Sequence, residues 1–185
     1  MTAQSMTKYL PDHFLSYGDD VFISDLALIK HPHLCRIGSH VAIDNGVTFS
    51  TQVHVGDYVH IAPYVCTIGG VTTTVTFEDF CFVAAGSKIV AGSDDYTGQG
   101  LVGPTLPMDC RSVTFTNIRF ERFSGCGINC SILPGVNFGE GAILGANSLA
   151  VRDLEPWTIY VGSPARPVKE RERDTILAHA QRLGY

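Results

Sequence analysis

Two histidines of this sequence, His54 and His60, stand six residues apart, and each directly follows a valine. Imidazole, with an ordinary pKa of about 6.5, is the side chain best suited to take a proton near neutral pH. Side chains alternate along a strand, so an inward valine points the next residue outward. His54 and His60 are therefore candidate general bases or binding groups on an outer surface. The other histidines are expected on turns or outside the regular elements: His13, His31, His33, His40 and His179.

The elements that must position these histidines follow a six-residue repeat. From Ile37, every sixth residue is large and apolar, and the residue four places further on is valine. The two sets are Ile37, Ile43, Phe49, Val55 and Ile61, and Val41, Val47, Val53, Val59 and Val65. Neither a period of 2 nor one of about 3.6 produces this pairing. The pattern predicts an all-β solenoid in which each hexad supplies one strand and one turn and the stacked coils share one core.

The repeat is interrupted at three places. It slips by two residues around 31–33 and by four at 69–72, and it is lost from 91 to 112, a stretch rich in Gly, Pro and Asp. A long nonrepetitive insertion in a compact solenoid is more often functional than idle. Asp94 and Asp95 lie in this insertion, and a carboxylate there could act as a base or orient His60. An ordinary polar turn at 94–98 is the other interpretation.

Small residues at regular places support the solenoid. Glycine follows the inward residue at Gly38, Gly56, Gly139 and Gly145, which predicts either a positive φ or a close approach of backbones. Cysteines at inner positions are expected to be small buried residues: Cys81, Cys126 and Cys130. Cys110, in the insertion, is expected to be exposed.

Composition sets the limits on the class of protein. Hydrophobic residues make up 45% and charged residues 17% of the 185 residues, a balance that suits a compact core. The net charge of −5 argues against a nucleic-acid binder. No apolar run is long enough for a membrane span, and Met1–Lys8 lacks the pattern of a secretory signal, so a cytoplasmic protein is expected.

One domain, 1–185, is predicted. The expected β-helix covers 17–167 with the loop insertion at 91–112. A C-terminal helix is expected at 168–185, where Ile176, Leu177, Ala180 and Leu183 fall at helical spacing after Pro167.

The hexads, the stretch 132–148 (ILPGVNFGEGAILGANS) and the segment 161–166 (VGSPAR) resemble the hexapeptide-repeat acyltransferases. The resemblance implies a left-handed parallel β-helix, a homotrimer with active sites in clefts between subunits, and transfer of an acetyl group from acetyl-CoA. The segments 56–62 (GDYVHIA) and 93–98 (SDDYTG) are most similar to the branch that acetylates sugars or nucleotide-linked sugars for surface polysaccharides such as O-antigen and capsule.

The resemblance also implies residue roles. His60 is the first candidate for the catalytic base, with Asp94 and Asp95 beside it, and the expected substrate-binding residues are His54, Tyr64 and Tyr96. The CoA groove is expected to involve Gly127, Asn129, Ala146, Arg152, Arg166 and Lys169. Arginine suits phosphate because its guanidinium forms bidentate hydrogen bonds. No metal is expected.

The chain departs from the galactoside-type members of the family. Those carry the catalytic histidine in a loop after a motif that corresponds to 83–85, where this chain has Ser93, Asp94 and Asp95. No histidine occurs between His60 and His179. The base is therefore another histidine or a loop carboxylate, or it is dispensable because a sugar amine needs little activation.

Three alternatives remain open at this stage. An acceptor of another kind, such as an antibiotic, would use the same fold. A noncatalytic β-helix would leave the insertion and the basic tail unexplained. The γ-class carbonic anhydrases share the β-helix but need three histidine ligands for zinc, and His54 and His60 lack a matching third.

Overall fold

A computed structural model describes residues 8–185, so most of the stretch Met1–Lys8 considered above lies outside the described residues. The strands are, in chain order, β1 (Ser16–Tyr17), β2 (Val21–Ile23), β3 (Leu28–Ile29), β4 (Arg36–Ile37), β5 (Val41–Ile43), β6 (Thr48–Phe49), β7 (Gln52–Val55), β8 (His60–Ile61), β9 (Cys66–Ile68), β10 (Thr74–Phe77), β11 (Phe82–Val83), β12 (Lys88–Val90), β13 (Gly92–Asp94), β14 (Val113–Phe115), β15 (Ile118–Phe120), β16 (Gly125–Cys126), β17 (Ser131–Ile132), β18 (Asn137–Phe138), β19 (Ile143–Leu144), β20 (Leu149–Ala150), β21 (Thr158–Gly162) and β22 (Ala165–Glu170). Short 3-10 helices cover Pro11–His13, Pro32–Leu34 and Met108–Cys110, and helix α1 covers Asp174–Arg182.

The strands wind into a left-handed β-helix with three faces. Face 1 has the order β1-β4-β7-β10-β15-β18, face 2 is β2-β5-β8-β11-β16-β19-β21-β22, and face 3 is β3-β6-β9-β12-β17-β20. Consecutive coils pair in parallel register, for example Ile43 with Ile61. We call the turns from face 1 to face 2 corner 1 (such as 56–58), those from face 2 to face 3 corner 2 (such as 62–64), and those from face 3 to the next coil corner 3 (such as 69–73).

The core confirms the hexad pattern. All ten residues of the two sets that begin at Ile37 and Val41 are buried. On face 1, Phe77, Phe120 and Phe138 stack coil on coil, with ring centroids 5.0 and 4.1 Å apart. Cys81, Cys126 and Cys130 are buried as expected, and Cys110 is exposed.

The glycines after the inward residues serve close approach rather than a positive φ. A Cβ on Gly56 would lie 2.5 Å from Asp79 Oδ1 of the next coil, and one on Gly145 would lie 2.7 Å from Val161 Cγ1. The left-handed backbone conformation occurs instead two residues later in the corner, as at Tyr58, where φ is 56°. Coil stacking therefore excludes side chains at these glycines.

The insertion forms an antiparallel hairpin that begins at corner 3. Strand β13 pairs with β14, with Gly92 opposite Phe115, and the connecting loop lies between them. The nonrepetitive segment therefore extends beyond the expected 91–112 to include all of β14.

The expected helix at 168–185 begins too early. Val168–Glu170 belong to β22, whose backbone groups pair antiparallel with β21 on face 2, and α1 starts only at Asp174. Pairing with β21 satisfies the backbone, and Pro167 cannot sit inside a helix. The chain then crosses corner 1, where the Tyr185 hydroxyl donates a hydrogen bond of 2.6 Å to Asp57.

Candidate active site

His60 lies on the outer side of face 2, as strand alternation predicts. Its neighbour Ile61 is completely buried, whereas 56% of the His60 side chain is exposed. In the coils on either side, Ala42 and Phe82 occupy the same position of the sheet. The imidazole can therefore reach a molecule bound outside the coil.

A carboxylate orients this imidazole. His60 Nε2 lies 2.8 Å from Oδ2 of Asp44, which is on the preceding coil and has 29% of its side chain exposed. The tautomer with hydrogen on Nε2 donates to Asp44 and leaves the Nδ1 lone pair as the proton acceptor. A partly shielded carboxylate also stabilises the imidazolium that forms when the proton is taken.

Asp44 was not among the residues singled out from the sequence, although the repeat contains the signal for it. One coil is three hexads, and His60 pairs with Ala42, which is 60 − 42 = 18 residues earlier. Asp44 stands two residues after Ala42, on the same outer side, directly after β5. Searching one coil back from each outward histidine would have found it.

Corner 2 brings together three of the six residues expected in the CoA groove. Tyr64 is exposed and has its ring against Gly46, and Gly127, Asn129 and Ala146 occupy the corner in later coils. A Cβ on Gly127 would lie 2.6 Å from the Ala146 nitrogen, so these two residues are adjacent. From His60 to Ala146 the edge rises by three coils, about 14 Å at the usual strand spacing. The edge is thus long enough to hold an extended pantetheine arm.

A lysine that was not among the predicted site residues stabilises corner 2. Lys88 Nζ donates hydrogen bonds to the carbonyl oxygens of Tyr64, at 3.1 Å, and Gly86, at 2.8 Å. It therefore joins two consecutive coils at corner 2.

The three basic residues expected at the CoA phosphates are exposed but do not lie together. Arg166 pairs with Val161 at the corner 2 end of β22, and Lys169 pairs with Ile159 further toward corner 1. Arg152 follows β20 and thus lies at corner 3. Of these three residues, Arg166 is the nearest to the Ala146 edge by strand pairing, because its partner Val161 lies against Gly145.

His54 lies on a different face from His60. It points outward from face 1 between the buried residues Val53 and Val55, with Arg36 and Thr76 in the neighbouring coils. It lines a shallow cavity of about 540 Å³. Partial burial, with a smaller contribution from the Arg36 charge, lowers the pKa of His54. A substrate-binding role for His54 stays a prediction.

The hairpin residues are separate from His60 in a single chain. Asp94 accepts hydrogen bonds from Arg111 Nε at 2.9 Å and Nη2 at 2.7 Å, and only 12% of its side chain is exposed. Asp95 accepts a hydrogen bond from the Thr97 backbone, and hydrogen bonding with Thr97 lowers its pKa. Tyr96 is 77% exposed. Within one chain Asp44, not a hairpin carboxylate, is the acidic group hydrogen-bonded to His60. A role of Asp94 or Asp95 at His60 stays a prediction that concerns contacts between chains.

Residues 8–185 contain neither a metal site nor a membrane-spanning helix. No group of three or more His, Cys, Asp or Glu side chains in this part of the chain is arranged to hold a metal ion. No helix there is long and apolar enough to cross a membrane.

Comparisons with known proteins give the class to which this left-handed β-helix belongs. No protein-family model matches the chain. It is 31% identical over 166 residues to a dTDP-4-amino-4,6-dideoxy-D-glucose acyltransferase of Escherichia coli, an alignment that covers 88% of this chain and 85% of that protein. It is 28% identical over 131 residues to WbbJ of E. coli K12, a putative lipopolysaccharide biosynthesis O-acetyl transferase, covering 71% of this chain and 64% of WbbJ.

A solved structure matches the whole fold. AntD, an N-acyltransferase from Bacillus cereus in complex with dTDP and 3-hydroxybutyryl-CoA, superposes with a TM-score of 0.89 and 34% identity, covering 94% of this chain and 92% of AntD. The chain belongs to the hexapeptide-repeat sugar acyltransferases. It is an acyl-CoA-dependent acyltransferase.

Proposed function

We propose that this enzyme transfers an acetyl group from acetyl-CoA to the amine of a nucleotide-linked amino sugar in the cytoplasm, for surface polysaccharide biosynthesis. The observation that carries the proposal is the His60–Asp44 pair, at 2.8 Å, on the edge that also carries Gly127, Asn129 and Ala146. The dTDP-linked amino sugar named in the E. coli relative and the dTDP held by AntD support this class of acceptor.

The chemistry needs a base and a site for an oxyanion. The acceptor amine attacks the thioester carbonyl, and His60 Nδ1 takes the amine proton while Asp44 balances the imidazolium charge. A backbone N–H of the corner stabilises the oxyanion of the tetrahedral intermediate. The intermediate expels the CoA thiolate, which receives the proton from His60, so that an amide and free CoA leave and neutral His60 is restored.

The active site is proposed to be shared between the chains of a homotrimer. Within one chain, His60 is at corner 2, whereas Asp94, Asp95 and Tyr96 are at corner 3. A neighbouring chain placed against face 3 would bring its own hairpin toward His60. The separation of the two residue sets in one chain supports this arrangement, as does the family resemblance.

Mixing inactive chains tests the shared site. The variants His60→Ala and Tyr96→Ala, each of low activity, are unfolded together, refolded and assayed. A shared site predicts that mixed trimers recover activity, because some clefts combine an intact His60 with an intact hairpin. Two controls, each variant refolded alone, stay inactive. If the mixture is no more active than its components, both residue sets act from one chain or the pairing of faces is wrong.

The donor groove gives a separate prediction. Arg166→Ala is expected to weaken CoA binding about tenfold while kcat at saturating donor changes little, because a phosphate contact is lost far from the reacting atoms. Isothermal titration with CoA measures the effect. Arg119→Ala is the control: this exposed arginine is paired with Glu78 on face 1, and its CoA affinity should match that of the unmodified enzyme. Unchanged affinity in Arg166→Ala would refute the placement.

The acceptor is tested directly with a panel. Titration with CoA and acetyl-CoA is followed by a free-thiol assay on nucleotide-linked amino sugars, free amino sugars and chloramphenicol. Thiol release on a nucleotide-linked amino sugar supports the proposal, whereas release on chloramphenicol alone would identify a xenobiotic acceptor. Mass spectrometry of the product distinguishes an amide from an ester.

A further inference from the structure

The three interruptions of the hexad repeat meet at one place in the folded chain. Residues 30–31 come from the first slip, Gly69 and Gly70 from the second, and 92–96 with 111–115 from the insertion. Residues from each of the three segments line one cavity of about 630 Å³ at corner 3, with Gly92, Ser93, Asp94, Tyr96, Arg111, Val113 and Phe115 contributed by the insertion. Interruptions far apart in sequence thus build one concave site, which a regular solenoid would lack.

Three residues of the cavity lining are glycines: Gly69, Gly70 and Gly92. A Cβ on Gly92 would lie 2.8 Å from Gly69 Cα and 2.9 Å from Phe115, so the two coils are in close backbone contact there. Gly70, with φ of 87°, has no atom within 4 Å of where its Cβ would be. The cavity spans four coils, from Lys30 to Gly92, which is about 14 Å at the usual strand spacing. That length suits an extended molecule.

The charges around the cavity favour an anion. Asp94 is the acidic residue of the lining, and Arg111 neutralises it through two hydrogen bonds to Oδ1. Lys30 adds a positive charge, and His31 beside it adds a ring nitrogen. A diphosphate could therefore approach Lys30 without meeting an uncompensated carboxylate.

An aromatic ring stands over the same cavity. Tyr96 lines it, although 77% of this side chain is exposed to solvent. An exposed tyrosine ring offers a flat surface on which a nucleobase can stack. Lys30 can thus contact the phosphates of a nucleoside diphosphate while the Tyr96 ring stacks on its base.

We infer that the corner 3 cavity binds the nucleoside diphosphate of the acceptor, with Lys30 and His31 at the phosphates and Tyr96 against the base. This inference rests on the proposed function and assigns its acceptor site. The Asp94–Arg111 pair holds the hairpin as one wall of the site, which explains why a carboxylate there is largely buried. His54 and its face 1 cavity then have no part in binding the nucleotide.

The test uses isothermal titration of the full chain with dTDP, thymidine and CoA. Lys30→Ala and Tyr96→Ala are each expected to weaken dTDP binding about tenfold or more, because each removes a direct contact. Thymidine, which lacks phosphates, should bind weakly and respond to Tyr96→Ala but not to Lys30→Ala. Arg36→Ala, an exposed cation of the face 1 cavity, is the matched control and should leave dTDP binding unchanged.

Each contrary outcome is distinct. Wild-type affinity for dTDP in both Lys30→Ala and Tyr96→Ala overturns the inference, and so does a loss confined to Arg36→Ala. Weaker CoA binding in Lys30→Ala, with dTDP binding intact, would assign the cavity to the donor nucleotide instead. Failure of the proposed function would appear as dTDP binding without thiol release on any nucleotide-linked sugar.

Discussion

Replacing His60 by alanine is expected to lower kcat about 100-fold while leaving the KM for acetyl-CoA nearly unchanged, because general-base catalysis typically contributes 10²–10⁴. The side chain is on the outer surface and contributes little to the core, so the variant should fold and assemble normally. Steady-state assay of thiol release with the acceptor identified from the panel measures the change.

His40→Ala is the matched control. His40 is also an exposed histidine bonded to an aspartate of the preceding coil, Asp20, at 3.0 Å, but it lies at corner 1. Its replacement should leave kcat unchanged. Equal kcat in His60→Ala and the unmodified enzyme would remove His60 as the base and leave either a hairpin carboxylate or unassisted attack by the amine.

Asp44→Asn tests, in the same assay, whether Asp44 acts on the His60 imidazole or only supports the local structure. The amide keeps the shape but cannot balance the charge of the imidazolium, so kcat should fall about tenfold while the KM for acetyl-CoA stays nearly unchanged. In His60→Ala, a further Asp44→Asn change should cost nothing more, because the two residues act as one unit. If Asp44 were merely structural, Asp44→Asn would lower kcat by the same factor in the His60→Ala background as in the unmodified enzyme.

The sequence predicted the coil geometry well because one rule governs it. Between the interruptions, the inward residues from Ile37 to Leu144 repeat at a six-residue period, and each is buried against residues at the same position of the neighbouring coils. The outward direction of His54 and His60 follows from the same alternation.

Features that depend on contacts between distant residues were harder to predict. The start of α1 depends on the pairing of β22 with β21, since isolated helical spacing around Ile176 does not show where a preceding strand ends. The hydrogen bond from Arg111 to Asp94 joins two residues that are 17 positions apart in the sequence. They lie in a hairpin that has no repeat from which their pairing could be predicted. Asp44 is the exception, because the coil period alone would have located it beside His60.

Phe120→Ala is expected to lower the free energy of unfolding by about 3–5 kcal/mol, the usual cost of truncating a fully buried phenylalanine. Phe120 is completely buried, and its ring stacks on Phe138 at 4.1 Å and packs against Phe77 at 5.0 Å. Alanine leaves a cavity that the stacked coils cannot close, because their spacing is fixed by parallel backbone pairing on three faces.

Urea unfolding followed by circular dichroism, at one protein concentration, measures this loss. Phe120→Leu keeps most of the side-chain volume, so its free energy of unfolding should fall by less than half as much as that of Phe120→Ala. The order of stability of the two variants is itself a test.

The solenoid fold predicts a second effect of Phe120→Ala, on hydrogen exchange. Each coil contacts only its neighbours, so hydrogen exchange should accelerate most in β10, β15 and β18 and least in β4. Uniform acceleration along face 1 would mean that the coils unfold as one cooperative unit, and that Phe120 contributes to all of them equally.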